Sequence, residues 1–323
     1  MRAPTGYEAA LESAALFDLG GHGTIEVFGN DAGSFLHNLS TNDVKRLTAW
    51  QGCEAFFCTP TAKVIAQGWI WREPPRGARG KEEHLWLDVP PGVCAKLLPH
   101  LRKHIIGEDV EAEDRTAGLA RLYVAGPRAC EATGAVLEPL TFAALESGLS
   151  VRRRDLLGVP GVDLLGPADL LAGVRERLAL PEGSAEAFQI LRVEAGQPLY
   201  GPDITDETFA PETGRILQAI SYTKGCYLGQ EPIVMARDRG VVQRGLSGLL
   251  TGEEVLPPGS TLWREGKEVG RTVSSAYSPR LGQGAALAYL KRGSLTPGTA
   301  LEAEVDSRRV PAVAARLPLV GQG

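Results

Sequence analysis

Beyond residue 244 the chain breaks into short β-prone segments, at 245–250, 261–263, 269–275, 285–290, 300–305 and 310–315. Between them lie turns built on Gly and Pro, such as Pro257-Pro258-Gly259 and Pro297-Gly298. That spacing predicts a small antiparallel barrel. Upstream the pattern changes. Residues 121–125 run as a strand through Gly126-Pro127 into a helix, and 161–165 do the same through Gly166-Pro167. Such repeats predict an α+β region of ferredoxin-like or split-βαβ units. Neither turn carries the glycine and lysine pattern of a phosphate loop. A length of 323 residues exceeds one ordinary core. The expected division is a region 1–244 of two subdomains and a barrel domain 245–323.

In the first part, Tyr7, Leu11, Ala14, Ala15 and Phe17 fall at helical spacing, and residues 24–28 alternate like a strand. Asp31 is placed to cap a helix through Phe35, Leu36 and Leu39, which ends in the turn-forming residues 40–43. Residues 53–57 and 64–71 read as two strands, 72–83 as a flexible connection, and 84–89 as a further strand. Pro91 then opens a helix on which His100 and His104 lie one turn apart. Two histidines alone do not make a zinc site, so a solvated face is expected. Cys53 and Cys58 are expected in the core, and Arg152-Arg153-Arg154 on a protected sheet edge. No metal site is expected anywhere.

Charge bounds the partners. Lys+Arg 34 against Asp+Glu 39 leaves a net charge of -5, which gives no field for nucleic acid or an anionic membrane surface. No apolar run approaches the ~20 residues of a membrane span. Five scattered cysteines fit a reducing compartment better than a disulfide framework. A cytoplasmic monomer that binds a small molecule is the expectation.

Two stretches carry the chemistry. The first is Lys224-Gly225-Cys226-Tyr227-Leu228-Gly229-Gln230-Glu231, followed by Pro232. Two glycines allow tight turning and close approach, and Pro232 suits the first position of a helix, which places Cys226 just upstream of a helix N-terminus. Lys224 and the positive helix end would both favour a thiolate at Cys226, making it a candidate reactive cysteine; the alternative is a small packing residue. The second stretch is the helix from Ala185, with Phe188, Ile190, Leu191 and Val193 on its apolar side and Gly196 and Pro198 after it. Glu194 falls in the last turn, where the helix dipole disfavours an anion by a few tenths to ~1 kcal/mol. Compensation from Arg192, a surface position, or a ligand offering paired donors are the open alternatives.

The run K-G-C-Y-L-G-Q-E, with Pro211-Glu212-Thr213-Gly214 before it and Arg237, Gly240 and Arg244 after it, resembles the signature of the YgfZ-type folate-binding proteins. These are relatives of the aminomethyltransferase (T-protein) of the glycine cleavage system. The resemblance implies an aminomethyltransferase-like folate-binding fold and tetrahydrofolate, or a one-carbon derivative, as cofactor. It implies an accessory role toward iron-sulfur client or assembly proteins. Arg192-Val193-Glu194-Ala195-Gly196 is similar to the family's Arg-x-Glu-x-Gly element, so Glu194 is the implied pterin contact; Asn42, Tyr200, Asp203 and Arg237 are the further candidates for the pocket. Cys226 and Lys224 are the implied reactive pair, held in the motif loop of Gly225, Tyr227, Gly229, Gln230 and Glu231, with Cys226 and Glu194 facing one cavity. In the aminomethyltransferases an Asp-Asp pair on the second strand supports the reaction. Ala66 and Gln67 stand there in this chain. Neither can hold a negative charge, which argues against a working aminomethyltransferase. The alternative is a folate-dependent aminomethyltransferase or demethylating enzyme of one-carbon metabolism.

Overall fold

The computed structural model describes residues 3–77, 81–145, 147–240 and 242–321, so part of the charged connection expected at 72–83 lies outside the described residues. The barrel forms as its spacing predicts. Its closed strand order is Arg244–Leu250, Gln283–Lys291, Lys267–Ser278, Thr261–Arg264, Ala300–Val305 and Arg308–Ala315, the last pairing back onto the first. Alternate residues such as Leu301, Ala303 and Val305 point inward and fill it.

Upstream lie two antiparallel five-stranded sheets, which complete the α+β architecture. One runs Ala15–Asp18, Leu119–Ala125, Gly161–Pro167, Ser150–Arg153, Phe142–Ala144. The other runs Gln51–Cys58, Val64–Arg72, Glu83–Val89, Gly23–Gly29, Glu111–Asp114. Helices Ala32–Leu39 and Cys94–Arg102 cover one face of the second sheet through Phe35, Leu36, Leu97 and Leu101. Helix Ala168–Leu178 covers the first through Leu171 and Val174. The faces left over meet in an aromatic layer of Phe17, Trp69, Trp71, Tyr123 and Phe142, onto which helix Ala185–Glu194 also packs.

Three local expectations change. The first helix stops at Glu12, and Ala15–Asp18 is a strand paired with Leu119–Ala125: the apolar spacing of Ala14 to Phe17 serves two elements. Pro91 precedes the helix, which begins at Cys94, and His100 is buried, packed on the His104 ring at 4.7 Å, so that turn does not present a solvated face. The arginine run does not mark an edge. Ser150–Arg153 lies between two neighbours, and Arg152 and Arg154 are buried between the sheets. Asp88 Oδ1 accepts from Arg152 Nη1 and Arg121 Nη2, both at 2.5 Å, while Trp71 Nε1 donates to Oδ2 at 2.7 Å. Arg154 is paired with the buried Asp163. Burial alone would raise the Asp88 pKa, yet Arg121 and Arg152 overcome it and hold the carboxyl well below the usual range. A local pattern of three cations cannot reveal acids that arrive from other strands.

Candidate ligand site

Ser184 caps helix Ala185–Glu194 by accepting from the Ala187 N–H at 3.1 Å. The apolar stripe of Ile190 and Leu191 buries this helix against the sheets, and Val193 packs on Ala285 and Leu287 of the barrel. Glu194 is therefore driven inward with no solvent exposure, and its charge is compensated from afar. Tyr7 Oη and Ser278 Oγ donate to its Oε1 at 2.6 and 2.5 Å; Arg280 donates Nε and Nη2 to its Oε2 at 3.0 and 2.6 Å. Burial, and then the bond to Glu194, raise the Tyr7 pKa well above the ordinary tyrosine value, so the phenol remains a donor. Arg192, the nearby cation, does not serve Glu194. Its guanidinium donates to Asp203 Oδ2 at 2.7 Å, Ser274 Oγ at 2.5 Å and Gln189 at 2.9 Å.

That bond also fixes Asp203. It is buried, accepts from the Leu199 N–H at 2.8 Å and from Ser274, and ties the helix end to the barrel. Tyr200 lies half-buried with its hydroxyl shared between Lys96 and Asp206. Asn42 gives both amide hydrogens to backbone, to the carbonyls of Glu54 and Gln218 at 2.8 Å each. Arg237 lies on the exposed side of helix Gln230–Arg239, paired with Asp238 at 2.7 Å and stacked 4.8 Å over Tyr222. Asp203 and Glu194 thus share the helix–barrel junction; Asn42 and Arg237 stand elsewhere.

The motif loop rests on a different platform. Lys224 turns its ammonium into the C-terminal end of helix Ala32–Leu39, donating to the carbonyls of His37, Ser40 (2.7 Å) and Asn42 (2.8 Å). Burial lowers its pKa to about 7, while those carbonyls and the negative helix end favour the ammonium. Its role is a cap, so the expected assistance to a Cys226 thiolate is replaced by a structural task. Tyr227 is buried among Phe56, Cys58 and Ile233. Gly229 has φ 83°, and a Cβ there would stand 2.7 Å from the Thr59 carbonyl oxygen, so this position requires glycine. Gly225 has open space by comparison, with its ideal Cβ 4.0 Å from His37. Gln230 Nε2 reaches the Gly225 carbonyl at 3.4 Å, and Glu231 is exposed in the first turn of its helix. Cys226 is exposed. Its loop sits on residues 37–42 and 58–62, whereas the partners of Glu194 come from residues 7, 278 and 280. Cys226 and Glu194 share no hydrogen-bond partner among the described residues: each stands on its own set of neighbours.

Ala66 and Gln67 point to opposite faces of strand Val64–Arg72. Ala66 enters the core under the helices. Gln67 is buried on the other face and donates Nε2 to Glu54 Oε1 at 2.8 Å, leaving its own Oε1 unpartnered among the described residues. Arg215 in turn donates Nε and Nη2 to Glu54, at 3.2 and 2.5 Å. A carboxylate thus stands on the neighbouring strand. Sequence reasoning missed it, although a single acid between Cys53 and Ala55-Phe56-Phe57 was the available signal.

Residues 5–160 match the T-protein (GCVT) N-terminal domain and residues 244–320 match the glycine cleavage T-protein C-terminal barrel domain. The aminomethyltransferase of Thermus thermophilus is 30% identical over 330 residues, covering 97% of this chain and 88% of that protein. The chain belongs to the glycine cleavage T-protein family. The aminomethyltransferase of Moorella thermoacetica, a further T-protein relative, is 29% identical over 98% of this chain and 90% of its own length. The crystal structure of the glycine cleavage system aminomethyltransferase T from Bartonella henselae has the same fold, with a TM-score of 0.88 at 20% identity over 98% of this chain and 89% of that one. Glu194 and the motif loop fall between the two matched T-protein domains, in residues 161–243, which the full-length likeness spans. No helix among the described residues is long and apolar enough to cross a membrane.

Proposed function

We propose that this T-protein family member binds a reduced folate, tetrahydrofolate or a one-carbon derivative, with Glu194 as the acceptor for the pterin. The observation that carries this is a fully buried carboxylate at a helix end, where only strong donors can sustain it. A pterin edge offers an amino group and an adjacent ring N–H, two parallel donors for a carboxylate. The residues fit that chemistry on one condition. Both oxygens of Glu194 already accept from Tyr7, Ser278 and Arg280, so one partner must yield. When bound, the folate would supply the nitrogen that carries the one-carbon unit; the chain would hold the pterin edge and shield it from water.

Within that class, Ala66 and Gln67 favour a YgfZ-type binding protein acting on iron-sulfur clients, because no free carboxylate stands at those positions. The T-protein relatives named aminomethyltransferase favour a second reading, a folate-dependent transferase. Glu54 lends it an acid near Gln67, though one that Arg215 already neutralises. Calorimetry should show tetrahydrofolate binding that Glu194→Ala weakens while cooperative unfolding is retained; unchanged binding would remove Glu194 from the pocket. One-carbon transfer by the purified protein decides for the transferase. A loss of iron-sulfur enzyme activity in cells carrying Cys226→Ala decides for the accessory role, and full activity there decides against it.

A further inference from the structure

The three side chains on Glu194 are not equivalent. Tyr7 and Ser278, which hold Oε1, are buried along with the carboxylate itself. Arg280, which alone among the described residues holds Oε2, has a side chain 35% exposed. It projects from the turn between barrel strands Lys267–Ser278 and Gln283–Lys291. That turn is fastened independently of the guanidinium: the Leu281 N–H donates to Ser278 Oγ at 3.1 Å and the Gly282 N–H to the Ser278 carbonyl at 2.9 Å. The Arg280 side chain can therefore swing out while the turn stays in place.

The chemistry of the pair is equally specific. Arg280 presents Nε–H and Nη2–H, two donors on one planar guanidinium. The 2-amino-4-oxo edge of a pterin is itself an acylated guanidine and presents the same two-donor edge. Resting on the folate assignment above, we infer that Arg280 is a latch that occupies the pterin's place on Glu194, and that a folate binds by displacing it. The latch has two consequences. It reduces apparent affinity by the fraction of molecules in which it is open. It also selects the ligand, because a molecule without paired N–H donors would leave a buried carboxylate short of partners, which is strongly disfavoured.

The test measures tetrahydrofolate dissociation constants and ligand-free melting temperatures for the whole protein, comparing wild type with Arg280→Gln, Arg280→Lys and Glu194→Gln. Arg280→Gln should melt lower than wild type without ligand and bind tetrahydrofolate about tenfold more tightly, the gain expected if the latch is closed in about nine molecules of ten. Arg280→Lys, which keeps the charge but not the planar pair, should fall between; it serves as the probe if Arg280→Gln does not fold. A pteridine with oxygen in place of the 2-amino group should fail to bind either form. Equal or weaker binding by both arginine variants, with wild-type binding intact and lost in Glu194→Gln, overturns the latch alone. Absence of binding in every protein, or binding that survives Glu194→Gln, overturns the folate assignment and the latch with it.

Discussion

Two of the clusters of buried charge in this molecule are built differently. Between the sheets, Asp88 and Asp163 meet Arg121, Arg152 and Arg154, and every one of these side chains is at most 3% exposed. At the helix–barrel junction, Glu194 is just as deeply buried but one partner, Arg280, reaches solvent. No member of the sealed cluster reaches solvent as Arg280 does, which fits a role in setting how the sheets pack. The junction cluster has a single replaceable member. Burial of an acid is thus a poor guide to function, and the accessibility of its counter-ion is a better one.

The contrast can be broken most directly at Asp88. Asp88→Asn should destabilise the protein by about 3–5 kcal/mol in urea unfolding, since it strands the buried Arg152 guanidinium and takes from Arg121 the closer of its two acids. Glu194→Gln should lose less, about 1–3 kcal/mol, because Arg280 can turn to water. Equal losses at the two sites would erase the distinction. A smaller effect follows from His22, whose pKa is lowered to about 4 by burial and by Arg121 and Arg154. Between its ordinary 6.5 and about 4 the unfolded chain binds a proton that the folded chain refuses. Stability must therefore fall as pH drops through that window and level off below it. Melting temperature against pH should slope less in His22→Gln; an identical slope would mean His22 is not held neutral by the sealed cluster. The smallest effect belongs to Arg153, the one member of the arginine run outside the cluster. Its pair with Asp155 is partly exposed, and Arg153→Ala should change stability by no more than about 1 kcal/mol.

Much of the architecture was legible in the sequence, because strands and turns announce themselves through neighbouring residues. The six barrel segments, the strands at 53–57 and 64–71 and the helix ending at Glu194 all follow from local periodicity. So did the demand that Glu194 be compensated. What supplies the compensation was not legible: Tyr7 lies 187 residues away and Arg280 lies 86 away. The arginine run misled for the same reason, since Asp88 is 64 residues from Arg152. Lys224 read as a helper of Cys226 because the two are near in sequence, but its ammonium reaches back to Ser40, 184 residues away. Local patterns specify elements, and charge partners are specified by topology.

The platform beneath the motif loop has a practical consequence. Among the five cysteines, Cys53, Cys58 and Cys94 are buried and Cys130 is half-buried beside Arg153, which leaves Cys226 as the accessible attachment point. The Lys224 cap, the Leu228 N–H bond to the Asn38 carbonyl and the close seat of Gly229 on Thr59 keep the backbone around it fixed. A maleimide dye added in limiting amount would label this position first and report on motions of helix Ala32–Leu39 and its surroundings rather than on wandering of the loop itself.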